Sequence, residues 1–162
     1  MITLPRCTLT RIVGICLTLS AATLFGELRR VPQDYGNIQA ALDAVQDDDT
    51  VLVSLGTYAE ELLAPPHRFW LMGDVPVDTG NFPRPVIDPS TLDSAQWRRC
   101  MTIPVGCEPT IERLAFQNRA PMFPRADNYA WSGILVRCDL PVTVRYCAFD
   151  STWGGIIRWP LE

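Results

Sequence analysis

Two stretches of this chain repeat each other 33 residues apart, and that repeat constrains the fold more than any single motif. Residues 110–116 (TIERLAF) resemble residues 143–149 (TVRYCAF), and the same offset carries Met101-Thr102-Ile103 onto Ile134-Leu135-Val136. Two separate extended runs that keep one offset indicate a solenoid, in which each repeat is one turn of the chain stacked on the last. The stretch 119–129 is rich in Pro, Arg and Asn and has no counterpart earlier, so it is read as a loop bulging from one turn. Without it the unit is roughly twenty residues, a solenoid-sized repeat.

The rest of the chain fits an all-β body with a helical beginning. Val31-Pro32 reads as a short extended piece. Asn37 can cap a helix whose apolar residues, Ile38, Ala41, Leu42 and Val45, fall on one face. Asp47-Asp48-Asp49 ends it. The three adjacent carboxylates lack the alternating ligands and the glycine of a calcium loop, so they are read as a solvated turn. Short β-branched or apolar runs follow, each stopped by turn residues: 51–53, 62–64, 69–72, 86–87, 101–103, 110–116, 134–136, 142–149 and 155–157. In a stack of such turns Ala115 sits under Ala148 and Phe116 under Phe149. Inward columns then form one continuous apolar core. The first turn leaves unpaired strand edges, and the amphipathic helix laid across that end would close it.

The first residues have the order of an export signal. Arg6 and Arg11 precede an apolar run at 12–19, and Ser20-Ala21-Ala22 supplies small residues for cleavage. The run is shorter than the ~20 residues that span a bilayer. The chain is therefore expected to be secreted, periplasmic or at the cell surface, with residues 1–22 a signal peptide and no membrane span after cleavage. Removing them changes the formal net charge from -4 to -6, because they hold two arginines and no acid. All fourteen basic residues are arginine and none forms a block, which argues against nucleic-acid binding. Four cysteines remain: Cys100, Cys107, Cys138 and Cys147. An oxidising compartment permits disulfides among them, in any of three connectivities, and their spacing is not that of a zinc site. The single histidine, His67, stands beside two prolines and reads as a loop residue.

Residues 31–60, VPQDYGNIQAALDAVQDDDTVLVSLGTYAE, resemble the opening of the right-handed parallel β-helix proteins of the pectin-lyase-like superfamily. Ile38-Gln39-Ala40-Ala41 matches that family's helix, Asp49-Thr50-Val51 its first strand, and Gly56-Thr57-Tyr58 with Glu60 the turn after it. Residues 69–73 and LAFQNRA at 114–120 resemble its later coils, and the likeness runs over about residues 28–157. The resemblance implies an all-β, right-handed parallel β-helix over residues 28–162 with an N-terminal amphipathic capping helix. The opening motif is nearest to pectin methylesterase-like and β-helix repeat proteins. Within it Gly56 suits a tight turn or positive φ, Tyr58 can bury its ring at the coil edge, and Asn118 ends a strand at a bend. Ile38, Ala41, Leu42, Val45, Phe116 and Phe149 are expected in the core.

The family's chemistries make demands this chain does not meet in full. The methylesterase site uses two aspartates, flanking glutamines and an arginine. Asp150 matches at most one carboxylate, and no glutamine stands at 131–134 or before Asp150. A lyase of this fold needs a base beside carboxylates that hold calcium, and only by that analogy does calcium enter as a cofactor. Arg113, Arg145 and Asp150 are the candidates, with Arg137 and Asp139 beside them. Their alternative role is as ordinary outward residues of alternating strands. Tyr129, Trp131 and Trp153, with Trp159, could stack on sugar rings or fill core and loops. The expected function is an exported β-helix module with a structural or polysaccharide-binding role and no complete active site. The alternative is the front of a carbohydrate-active enzyme whose catalytic coils lie beyond residue 162. No capping segment is evident after the last strand, so self-association through an uncapped final coil is also expected.

Overall fold

The computed structural model describes residues 26–76, 83–92, 99–118, 132–152 and 154–158. The chain is mostly short strands. β1 (Leu28–Val31) is followed by α1 (Ile38–Asp43), then β2 (Asp49–Val53), β3 (Thr57–Tyr58), β4 (Leu62–Leu63), β5 (Arg68–Gly73) and β6 (Val86–Ile87). After a 3-10 turn at Pro89–Thr91 come β7 (Met101–Ile103), β8 (Glu108–Glu112), β9 (Ala115–Gln117) and β10 (Ser132–Val136). β11 (Thr143–Arg145), β12 (Ala148–Asp150) and β13 (Gly154–Arg158) complete the series.

The strands form three sheets, ordered β1-β2-β5-β8-β11, β3-β6-β9-β12 and β4-β7-β10-β13. Every strand pair is parallel. From β2 onward the chain visits the first, second and third sheet in turn, then begins again with the next strand of the first. The register repeats the 33-residue offset read from the sequence: Met101 pairs with Ile134, Thr110 with Thr143, and Phe116 with Phe149.

Alternation along each strand sends one set of side chains inward and the other outward. In the first sheet Val51, Leu71, Ile111 and Val144 share one register column, the first three of them fully buried. In the second sheet Ile87, Phe116 and Phe149 do the same, with the two phenyl rings stacked at 5.3 Å. In the third, Leu62, Met101, Ile134 and Ile156 form the column, and Ile156 at its end is 48% exposed.

Two runs that read as single strands are each broken into two. Residues 110–116 span β8 and β9, and residues 142–149 span β11 and β12. At each break one residue takes positive φ, Arg113 (58°) and Tyr146 (56°), and turns the chain from the first sheet to the second. The break was hidden because neither residue is the Gly or Asn that favours this conformation. Gly106, at φ 85°, is the positive-φ glycine among the described residues; Gly56 precedes β3 in a turn without it.

Asn37 caps α1, its Oδ1 accepting the Ala40 N–H at 2.7 Å. The helix is shorter than its apolar face, ending at Asp43, yet Val45 beyond it is as buried as Ile38, Ala41 and Leu42. The helix packs against β1, β2 and β4. Six residues do not hold a helix in water unaided, so this packing and the capping groups carry it.

Candidate functional site

The outer face of the first sheet carries the most distinctive exposed chemistry. In β5, Phe69, Leu71 and Gly73 are buried, so Trp70 and Met72 between them point out, both partly exposed. Trp70 lies in register with Thr50 on one side and Thr110 on the other, and Thr143 continues that row. Leu52, Met72, Glu112 and Arg145 form the parallel outward row. An aromatic face flanked by hydroxyls on a rigid sheet suits the C–H face of a sugar ring, with the hydroxyls as hydrogen-bond partners. Ion pairs border it. Arg145 pairs with the buried Glu112, its Nε 2.7 Å from Oε1. Arg68 grips Asp48 with two bonds of 2.6 and 2.7 Å.

An open groove of about 810 Å³ lies on another side, bounded by Asn37, Gln39, Thr57, Tyr58, Glu60 and Leu63 among others. Several of its polar groups are already engaged. Glu60 accepts the Ile38 and Gln39 backbone N–H groups at 2.9 and 2.8 Å, holding the start of α1. Tyr58 donates its hydroxyl to Ser54 O at 2.9 Å; burial, and then the Glu60 charge, push its pKa up. These contacts assign the motif residues around 37–60 to holding the helix and strand edge together.

The charged candidates do not converge. The backbones of Arg113 and Arg145 touch, with Arg113 N–H donating to Arg145 O at 3.3 Å. Their side chains part: Arg145 goes to Glu112, and Arg113 Nη1 goes to Val75 O at 3.1 Å. Asp150 lies on β12 in the second sheet and accepts from Gln117 Nε2 at 2.7 Å and Ser151 Oγ at 3.2 Å. Arg137 and Asp139 are exposed at the corner after β10. Asn118 is buried directly after β9. Tyr129, Trp131, Trp153 and Trp159, and the segment 1–22, lie outside the described residues. Among the described residues no three His, Cys, Asp or Glu side chains group to hold a metal ion, and no helix is long and apolar enough to cross a membrane.

Asp47 and Asp48 form the solvated turn expected, but the third residue of the run departs from it. Asp49 is 3% exposed and takes two bonds from the buried Arg29, at 3.0 and 2.8 Å. It also accepts the Glu27 and Gln46 N–H groups at 2.6 and 2.8 Å. Burial works to raise its pKa, but the Gln46 and Glu27 N–H groups and then Arg29 outweigh it, so the pKa is lowered. Arg29 also donates to the Tyr35 hydroxyl at 2.5 Å. Asp47 accepts the Arg68 N–H at 3.0 Å and faces His67 at 3.2 Å. The reason is topological: the run straddles the entry to β2, and its last residue must turn in beneath β1.

Trp70 escaped sequence reasoning because Phe69-Trp70-Leu71-Met72 is apolar at every position, which hides the alternation. The Glu112–Arg145 pair was accessible, since the two residues stand 33 apart, the repeat offset. No protein-family model matches the chain, and neither a curated protein nor a solved structure does.

Proposed function

We propose that this chain is an exported right-handed parallel β-helix module of pectin-lyase-like type, closed at its first turn by α1, that binds polysaccharide. The order in which the chain visits its three parallel sheets supports the solenoid reading. The fully buried Ile38, Ala41 and Leu42, with α1 against β1, β2 and β4, support the capping role of the helix. The observation that carries the binding function is Trp70, partly exposed between Thr50 and Thr110 on a sheet face. The net charge of -4 disfavours a polyanion, so the ligand is a neutral or esterified glycan rather than a free polyuronate. Affinity electrophoresis of the chain in gels holding methyl-esterified pectin, polygalacturonate or a neutral β-glucan tests this. Retardation in a neutral or esterified gel, lost in Trp70→Ala, is expected. Equal mobility of both proteins in every gel would sink the reading.

Ile156 supports a second reading. It continues a core column yet is 48% exposed, and lines a largely apolar hollow of about 280 Å³ with Val136, Leu140, Val142, Val144 and Arg158. That end suits stacking on further β-structure, as it would if the coils of a carbohydrate-active enzyme followed residue 162, or self-association in their absence. Sedimentation of the 162-residue chain should show concentration-dependent association that Ile156→Asp abolishes. A monomer at all concentrations, unfolding in one cooperative step, would count against it.

A further inference from the structure

The fold distinguishes the four described cysteines. Cys100, Cys107 and Cys138 are buried, and Cys147 is partly buried. Cys100 Sγ meets Gln117 O at 3.4 Å, and Cys147 Sγ meets Arg145 O at 3.4 Å and Ile111 O at 3.8 Å. Neither has a second cysteine among those contacts. Cys107 and Cys138 differ. They occupy successive corners between the third and first sheets, Cys107 between β7 and β8 and Cys138 between β10 and β11. The turn through Val105 and Gly106, with Gly106 at φ 85°, folds Cys107 back, so that its carbonyl oxygen stands 2.7 Å from Cys138 Sγ. That is closer than a sulfur hydrogen bond needs. The two thiols also lie within electrostatic range, since Cys138 helps burial push the Cys107 pKa up to about 11.

We infer that Cys107 and Cys138 are a disulfide site that staples two successive turns, and that Cys100 and Cys147 stay free thiols. Of the six pairs that four cysteines offer, this selects one and rejects the five that involve Cys100 or Cys147. Closing it exchanges two weak sulfur contacts, Cys107 Sγ to Ala64 O at 3.5 Å and Cys138 Sγ to Cys107 O, for a covalent bond.

The oxidant is a low-molecular-weight or protein disulfide. The thiolate of Cys138 attacks one sulfur of that disulfide and expels the other as a thiolate. Cys107 then attacks the Cys138 sulfur of the mixed disulfide and releases the second thiolate. The oxidant gains two electrons, the cysteine pair loses two, and the two thiol protons pass to the departing thiolates. Both cysteines are nearly inaccessible in the fold, at 0% and 2% exposure, so the exchange belongs to the folding chain.

The test is a peptide map of the full chain, refolded in a glutathione redox buffer, with free thiols alkylated in denaturant. Trypsin cuts after Arg99, Arg113, Arg137 and Arg145, which leaves Cys100 and Cys107 on one peptide and Cys138 on another. The expected product joins those two peptides and carries one alkyl group, while the peptide holding Cys147 is alkylated. Cys100→Ser should keep the cross-link and Cys107→Ser should remove it, leaving Cys138 alkylated. Refolded wild-type chain with all four thiols alkylated, or with a link to Cys147, would overturn the inference. Fragmentation of the linked wild-type product should place its one alkyl group on Cys100; an alkyl group on Cys107 would overturn the inference, so the wild-type chain decides even if a variant fails to fold.

Discussion

Gln39 satisfies both backbone hydrogen-bonding groups of Leu63: the Leu63 N–H donates to its Oε1 at 2.8 Å, and its Nε2 donates to Leu63 O at 3.2 Å. β4 is the end strand of the third sheet, so one helical side chain stands in for a missing neighbouring strand. Such an edge otherwise presents a template for pairing with other chains. Replacing Gln39 with Leu removes these two bonds, worth about 1 kcal/mol each, and an exposed third one to Asp43. Thermal melts should show a lower Tm, and light scattering should show faster aggregation on warming. Unchanged Tm and scattering would make the Gln39 contact incidental.

Asp49 and Arg29 form the buried pair on which the entry to β2 depends. Asp49→Asn leaves the guanidinium with only the exposed Glu27 carboxylate, 2.9 Å away, as counter-charge, so the cost approaches the ~3–5 kcal/mol of a broken buried pair. Asp49→Asn with Arg29→Met should recover much of that loss in denaturant unfolding. The pH dependence has a definite sign. The folded pKa of Asp49 lies below the unfolded value of about 3.9, so its stabilisation is complete above that value. It is lost as pH falls through the folded pKa. An acid titration of stability should be shallower below pH ~4 in Asp49→Asn than in the wild type.

Tyr146 sits at φ 56° and is 47% exposed, so its ring contributes little to the core that could offset the backbone strain. A left-handed non-glycine residue costs about 1–2 kcal/mol. Tyr146→Gly should therefore stabilise the chain by up to about 1 kcal/mol, after the added freedom of the unfolded chain is deducted. The bond from Arg84 Nε to the Tyr146 carbonyl, at 2.9 Å, uses backbone and survives the change. A lowered denaturation midpoint would refute this account of the corner.

Gly73 ends β5 where the chain passes against the next turn. A methyl group there would collide with the carbonyl oxygen of Arg113 and crowd Pro85. Because the obstacle is backbone, relaxation is costly, and Gly73→Ala should destabilise by about 1–3 kcal/mol. Gly36→Ala, with open space around it, is the control and should leave the denaturation midpoint nearly unchanged.

The parallel stack was legible where two turns happen to have equal length. Thr110 and Thr143, or Phe116 and Phe149, face each other because nothing is inserted between one corner and the next that the other lacks. Earlier turns differ in length: Phe69 pairs with Asp49, 20 positions before, and with Pro109, 40 after, so no constant offset reveals them. Corners at Arg113 and Tyr146 left no mark in the sequence because their conformation is imposed by the sheets on either side. The Asn37 cap was readable, since capping is a local bond. Glu60 holding the N–H groups of Ile38 and Gln39 was not, because it acts from 22 and 21 residues away.

The way the chain circulates through its sheets has a mechanical consequence. A described strand between two neighbours touches the strand one circuit earlier and the strand one circuit later, and none of its sheet partners lies farther off. Tension applied at the last strand therefore meets only one circuit's worth of hydrogen bonds at a time. The molecule would yield by paying out thread, as a spool does, with the knot of Gln39, Glu60, Arg29 and Asp49 at the opposite end the last part to let go.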